Sequence, residues 1–303
     1  MLDTALQLLP VLVAIAAGAL LRAVRLARPA DGELLLRLVF AVGLAPLMLL
    51  STSRVELDAR LAVFAAVPPA LAVAGHLAGR LVGRFAGGRA GFAGTRLPVL
   101  LIAAMMVNTG FTLPFTQALY GADGVARLGV ADAASAVITF TWAYWTAARG
   151  GPGHWGSPVV RLLRNPPLYG VLAGLTLNVT GHAVPPLLVD VLSPFAAATP
   201  FLLALGTGIL LAFPRRGELG PAATIVATRL ATGAVTGAAI VGLLGLQGMD
   251  ATIVALIAVA PVAFVTVTFA ASERLDVRLA AAALSLSLAT SLVLCTAVGL
   301  LAS

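Results

Sequence analysis

Charge is scarce in this chain. Of 303 residues, 10% are charged and 60% are apolar, with a mean hydropathy of +1.03. A water-soluble chain of this length carries roughly 25% charged residues. One water-facing globule cannot hide so much apolar surface, so the sequence reads as an integral membrane protein. Cysteine occurs once, as Cys295, which excludes a disulfide framework, an iron–sulfur cluster and a thiolate zinc site. Histidine occurs three times, at His76, His154 and His182, none at helical spacing from another. No metal and no cofactor are therefore expected. Lysine is missing altogether, and all nineteen basic residues are arginine. Together with the abundance of Ala, Gly and Leu, that points to the coding bias of a GC-rich bacterium. The net charge of +7 does not imply nucleic acid, because the arginines are scattered through short loops without interleaved aromatics. A Walker loop, a Gly-x-Ser-x-Gly elbow and a His-Glu-x-x-His motif are all lacking, so neither an ATP-driven pump nor an intramembrane enzyme is expected.

What is present is a series of apolar runs. A crossing of a ~30 Å hydrocarbon core needs roughly 20 apolar residues. Ten candidates meet or approach that length: about 5–21, 33–50, 59–79, 98–119, 127–147, 166–180, 186–212, 219–244, 250–271 and 279–301. The first, Ala5 to Leu21, reads as a retained span, since no basic head or small-residue cleavage site frames it. With ten spans, one face receives Arg22, Arg25, Arg28, Arg80, Arg84, Arg89, Arg96, Arg149, Arg161, Arg164, Arg215, Arg216, Arg274 and Arg278. The other receives only Arg54, Arg60 and Arg127, a ratio of 14 to 3. The arginine-rich face is then cytoplasmic and both termini lie outside, in a bacterial inner membrane. Between spans 5 and 6, residues Ser157 to Arg164 suggest a short interfacial helix on the cytoplasmic side.

The two halves echo each other at an offset of about 150–160 residues. Ala45-Pro46-Leu47 resembles Thr199-Pro200-Phe201, and Gly18-Ala19-Leu20 resembles Gly174-Leu175-Thr176. Five spans is an odd number, so residues 1–150 and 151–303 would sit in the membrane with opposite orientation, as inverted repeats. Each half also holds one interrupted span. Asn108-Thr109-Gly110 with Leu113-Pro114 breaks span 4, and Ala260-Pro261 breaks span 9. A proline removes an N–H and frees an upstream carbonyl, and such breaks in matching places mark a transporter's binding site.

These motifs carry a resemblance. Val107-Asn108-Thr109-Gly110-Phe111 with Leu113-Pro114, Arg164-Asn165-Pro166-Pro167, Thr199-Pro200 through Leu205-Gly206, and Ala260-Pro261-Val262-Ala263 follow one another as in the auxin efflux carrier family. Its bacterial members are described as permeases for malate, malonate and similar acids. The resemblance implies ten helices in two inverted five-helix repeats, with helices 4 and 9 broken and crossing. It also implies a scaffold of helices 1, 2, 6 and 7, a moving bundle of helices 3–5 and 8–10, and a homodimer through the scaffold. In one respect the chain departs from the pattern: Phe264 stands about where plant-like members carry an asparagine after the helix 9 proline.

The expected function is a secondary carrier of a small organic anion, with substrate held at the crossover. The candidate binding residues are Asn108, Thr109, Gly110, Pro114, Ala260, Pro261 and Thr266. The Asn108 amide can donate to a carboxylate or cap the broken backbone, and the half-helix after Pro114 offers free N–H groups. Thr109, Thr112, Thr266 and Thr268 either line the cavity or bond back into their own helices. Asp132, expected one to two turns in from the outer face, is a candidate for proton coupling or an interfacial carboxylate. Arg229 either pairs with Asp132, attracts the anion or snorkels to the surface. The run Ser285, Ser287, Thr290, Ser291 reads as helix packing. Two alternatives stay open: a sodium-coupled carrier like the bile-acid symporters, and a non-transporting receptor with the same fold.

Overall fold

The computed structural model describes residues 2–57, 59–86, 92–151, 160, 163–211 and 216–302. His154 and most of the expected interfacial segment Ser157 to Arg164 lie outside them. All regular structure among the described residues is helical. Helix α1 spans Leu2–Ala23. Helix α2, Pro29–Leu38, runs through a π turn, Val39–Gly43, into α3, Leu44–Thr52. Then come α4 (Ala59–Ala86), α5 (Arg96–Met105), α6 (Thr109–Ile138), a second π turn (Thr139–Ala143) and α7 (Tyr144–Gly150). The remainder is α8 (Pro166–Val179), α9 (Pro186–Leu210), α10 (Leu219–Leu244), α11 (Gly248–Ala258), α12 (Val265–Ser272) and α13 (Val277–Leu301).

Local signals account for the helix starts. Pro29, Pro166 and Pro186 open α2, α8 and α9, where a missing N–H costs nothing and φ is already helical. Asp276 caps α13 by accepting the Leu279 N–H at 3.0 Å. The outer surface is apolar: Leu26 is 77% exposed, Val179 72%, Leu243 86% and Leu301 83%. Such a surface is stable only against hydrocarbon.

Seven described segments are long and apolar enough to cross a membrane: Thr4–Ala23, Pro29–Thr52, Arg60–Phe85, Arg96–Gly150, Pro186–Leu210, Leu219–Leu244 and Val277–Leu301. Ten separate spans are thus not what the segments themselves display. The 55-residue stretch Arg96–Gly150 covers two of the expected spans, and α8 and α11 are short, at 14 and 11 residues. At ~1.5 Å per residue a straight helix of that stretch would be about 80 Å long. It is not straight. Gly121 adopts φ 57°, ψ −141° inside α6, a backbone state open to glycine. The chain turns back there, so that Gly150 packs against the Pro98 ring at the opposite end.

Close packing joins α1 to α9. A Cβ on Gly18 would lie 2.1 Å from the Leu205 carbonyl oxygen, and one on Gly208 would lie 2.0 Å from that of Ile15. Arg22 donates to the carbonyls of Ile209 (3.1 Å) and Leu211 (3.0 Å) at the end of the same pair. On the other flank α8 lies against α3, where Asn178 donates to the carbonyls of Thr52 (3.0 Å) and Val55 (2.7 Å).

Two charged hubs tie several of the other helices together. At one end Arg96 of α5 meets Asp276, which precedes α13, at 2.8 Å, and also Glu218, which precedes α10. At the other end Asp250 of α11 meets Arg127 of α6 at 2.8 Å and, loosely, Arg60 of α4 at 4.0 Å. The Arg127–Asp250 pair is largely buried, whereas Arg60 is 69% exposed in its side chain, so the tight pair carries most of that hub's strength.

Partial burial pushes the Asp276 carboxyl up, but the Leu279 N–H and the hydrogen bond and charge of Arg96 outweigh it and hold the group below the ordinary carboxylate range. A carboxylate with a lowered folded pKa stabilises above its unfolded value and loses that contribution as pH falls through the folded one. The melting temperature of the detergent-purified chain should therefore drop as pH is taken from about 7 to about 3. Asp276→Asn should start lower and lose less over the same descent. Parallel curves for the two proteins would contradict the hub's role.

Candidate functional site

The two interruptions meet. Helix α5 ends at Met105 and Met106 turns extended, at φ −89°, ψ 143°. The chain resumes helix at Thr109, with Asn108 as its cap: the Asn108 Oδ1 accepts the Phe111 N–H at 3.2 Å. Across from it, α11 ends at Ala258 and helix resumes only at Val265. The non-helical link contains Ala260 and Pro261, both buried. Asn108 Nδ2 donates to the Val262 carbonyl at 3.4 Å, and the Val262 N–H donates to Ser287 Oγ of α13 at 3.1 Å. One amide thus caps the first break and ties it to the second.

Arg229, in α10, clamps both from below. Its Nε donates to the Met106 carbonyl (3.3 Å), Nη1 to that of Ala258 (3.1 Å) and Nη2 to that of Ile257 (3.2 Å). The residue is 1% exposed, so it does not snorkel. Nor does it pair with Asp132, because its donors are taken up by backbone oxygens left free where two half-helices stop. Glycines let the neighbouring helices come this close. A Cβ on Gly233 of α10 would lie 2.0 Å from the Ala258 oxygen, and one on Gly75 of α4 would lie 2.1 Å from that of Ala104.

A small cavity lies beside the first break, lined by Phe40, Leu44, Met48, Thr109, Gly110, Leu113, Leu128 and Asp132. Its free volume is about 10 Å³, room for one water molecule. Phe40, Leu44 and Met48 come from the stretch through α2 and α3, the remaining five from α6. Asp132 is half-buried there and accepts a hydrogen bond from the Thr109 hydroxyl.

Several expected residues sit elsewhere than the sequence suggests. The second half-helix begins at Thr109, not after Pro114, because the Asn108 side chain starts it. Pro114 lies buried inside α6. Asp132 lies about three turns past the Gly121 turn, where the return arm begins, at the level of Thr109. Thr112 bonds back to the Thr109 carbonyl at 3.0 Å. Thr268 is exposed on the outer surface, away from the break. Thr266 is fully buried, and its hydroxyl has no partner. Ser287, read as a packing residue, is instead the donor's partner at the second break. Phe264 precedes α12 without any side-chain cap, so the two breaks are not equivalent: the first is held by its own asparagine, the second by α13. Among the described residues no group of three or more His, Cys, Asp or Glu forms a metal site.

Comparison with known proteins bears on this arrangement. The family model described as membrane transport protein, that of the auxin efflux carriers, matches residues 4–298. The chain belongs to this family. An uncharacterized transporter of Methanothermobacter thermautotrophicus is 26% identical over 289 residues, covering 94% of each chain. The family and the apolar helices establish a multi-pass membrane transport protein. Of the motif residues, Asn108 and Val262 take part in the meeting of the two breaks, together with Arg229 and Ser287, which lie outside the motifs.

Asn108→Ala should cost about 1–2 kcal/mol in a denaturation experiment, from loss of the cap and of the donor to Val262. Gly233→Ala should cost about 1–3 kcal/mol, because its methyl collides with backbone. Gly242→Ala in the same helix, where nothing lies within 4 Å, should leave stability unchanged or gain up to about 1 kcal/mol.

Proposed function

We propose that the chain is a secondary carrier that moves a small organic anion by alternating access, with the anion held where the two breaks meet. The observation that carries this is the meeting itself: Asn108, Val262 and Arg229 bring a half-helix start, an unwound link and a buried cation together. Thr109 and Gly110 border the cavity at the positive end of that half-helix. The binding residues in this reading are Asn108, Thr109, Gly110, Pro114, Ala260, Pro261 and Thr266. Asp132 is the proton-coupling group, since its hydrogen bond from Thr109 links its protonation to the cavity wall.

The reading includes ten crossings in two inverted halves, 1–150 and 151–303. Four correspondences support it, three in the charged hubs and one between glycines. Arg96 and Arg60 stand at the starts of spans 4 and 3 and Arg127 in the second turn of span 5, past Gly121; Asp250, Asp276 and Glu218 stand at the starts of spans 9, 10 and 8. The hubs are therefore mirror images with their signs reversed, one arginine between two carboxylates and one carboxylate between two arginines. Gly75 and Gly233, 158 positions apart, each sit against the last turn of a first half-helix.

Spans 1, 2, 6 and 7 form the scaffold, and the hubs bind spans 3–5 and 8–10 into the moving body. The cavity lies on the seam between span 2 and spans 4 and 5, so sliding along that seam would widen a space now fit for one water. The arginine ratio of 14 to 3 supports a bacterial inner membrane with both termini outside. The scaffold helices, with their exposed apolar faces, would form a homodimer.

Purified protein in liposomes should take up or release a labelled dicarboxylate, and Asn108→Ala should abolish that flux. Wild-type flux in Asn108→Ala would remove the site, and saturable binding without flux would favour the receptor reading. Uptake should vary with external pH in the wild type and become flat in Asp132→Asn.

A further inference from the structure

A fully buried arginine normally has a carboxylate beside it, since an unpaired buried charge is expensive. Among the described residues, none lies in ion-pair contact with the Arg229 guanidinium. Its counter-charge is of another kind. Met106 follows the last turn of α5, while Ile257 and Ala258 belong to the last turn of α11. The C-terminus of a helix carries roughly half a negative charge. Two such ends converging on one point make a buried guanidinium tolerable without a carboxylate, and since each half-helix carries the opposite partial charge at its start, the guanidinium remains the only net charge there.

Three backbone oxygens gathered at half-helix ends are also the ligands that cation-coupled carriers with broken helices offer to sodium. In this chain that cluster of oxygens is already filled by a side chain. Gly233 makes the filling possible: any Cβ there would collide with both the Ala258 oxygen and Arg229 Nη1, at 2.0 and 2.5 Å.

We propose that Arg229 is a built-in cation, whose guanidinium takes the place at the crossover that a coupling sodium would occupy. Substrate binding then needs no inorganic monovalent cation, and the crossover meets the substrate with a fixed positive charge that selects anions. The second clause rests on the carrier reading above, whereas the first does not.

The test uses the full chain in detergent, with melting temperature measured in sodium, potassium or N-methylglucamine chloride at constant ionic strength. The wild type should melt at the same temperature in all three. Arg229→Ala should melt lower and be raised selectively by sodium or by methylguanidinium, either of which can refill the emptied oxygen cluster. A wild-type melt raised by sodium alone would overturn the proposal, as would an Arg229→Ala protein that is as stable as the wild type and indifferent to every cation.

Should Arg229→Ala not fold, Arg229→Lys and Arg229→Gln carry the test. Both keep donors to the carbonyls, but only lysine keeps the charge. Protection by a dicarboxylate should persist in Arg229→Lys and weaken about tenfold or more in Arg229→Gln. Equal protection of the two would overturn the selecting charge. If the cation pattern holds while liposomes carry no flux, the carrier reading fails and the built-in cation stands. Flux together with a sodium-dependent wild type would mean the reverse.

Discussion

A carbonyl oxygen freed by a broken helix has no water to turn to inside a bilayer. Leaving one unpaired costs several kcal/mol, and where the two breaks meet, the carbonyls of Met106, Ile257, Ala258 and Val262 are met by side chains. Each of these comes from a distant part of the chain. Arg229 takes three and Asn108 the fourth, while Ser287 receives the Val262 N–H. From this constraint the surrounding packing follows. Helix α10 must pass under both half-helix ends, which requires Gly233; α13 must present Ser287; and α4 must close on the end of α5, which requires Gly75.

The same constraint explains what was legible in the sequence. Apolar length gave spans 166–180, 186–212 and 219–244, against Pro166–Val179, Pro186–Leu210 and Leu219–Leu244 in the structure. Proline and glycine marked both interruptions. Their fine placement was not legible, because two signals compete within seven residues. Pro114 says where a helix has lost a hydrogen bond, while Asn108 says where one can be started, and the cap governs the boundary. The return arm was misplaced for a similar reason: a single glycine, Gly121, makes a turn that its apolar neighbours conceal.

Arg229 shows a deeper difficulty. A cation within an apolar run invites a search for an anionic side chain, and Asp132 is the natural choice. Its real partners are peptide oxygens, which every residue possesses and which no residue type announces. Ser287 was hidden likewise, since a serine in a small-residue run looks like helix packing. The hubs and the paired glycines were legible in principle through their offset of about 150–160 residues. Their signs are opposite, however, so a search for like residues passes over them.

That reversal of sign bears on how the protein would respond to a membrane potential. Arg96 between Glu218 and Asp276 leaves one net negative charge at one end, and Asp250 between Arg60 and Arg127 leaves one net positive charge at the other. A rigid body carrying both along the field direction does equal and opposite electrical work on the two, whichever way it travels. The two hubs together would therefore add no net gating charge to any such movement.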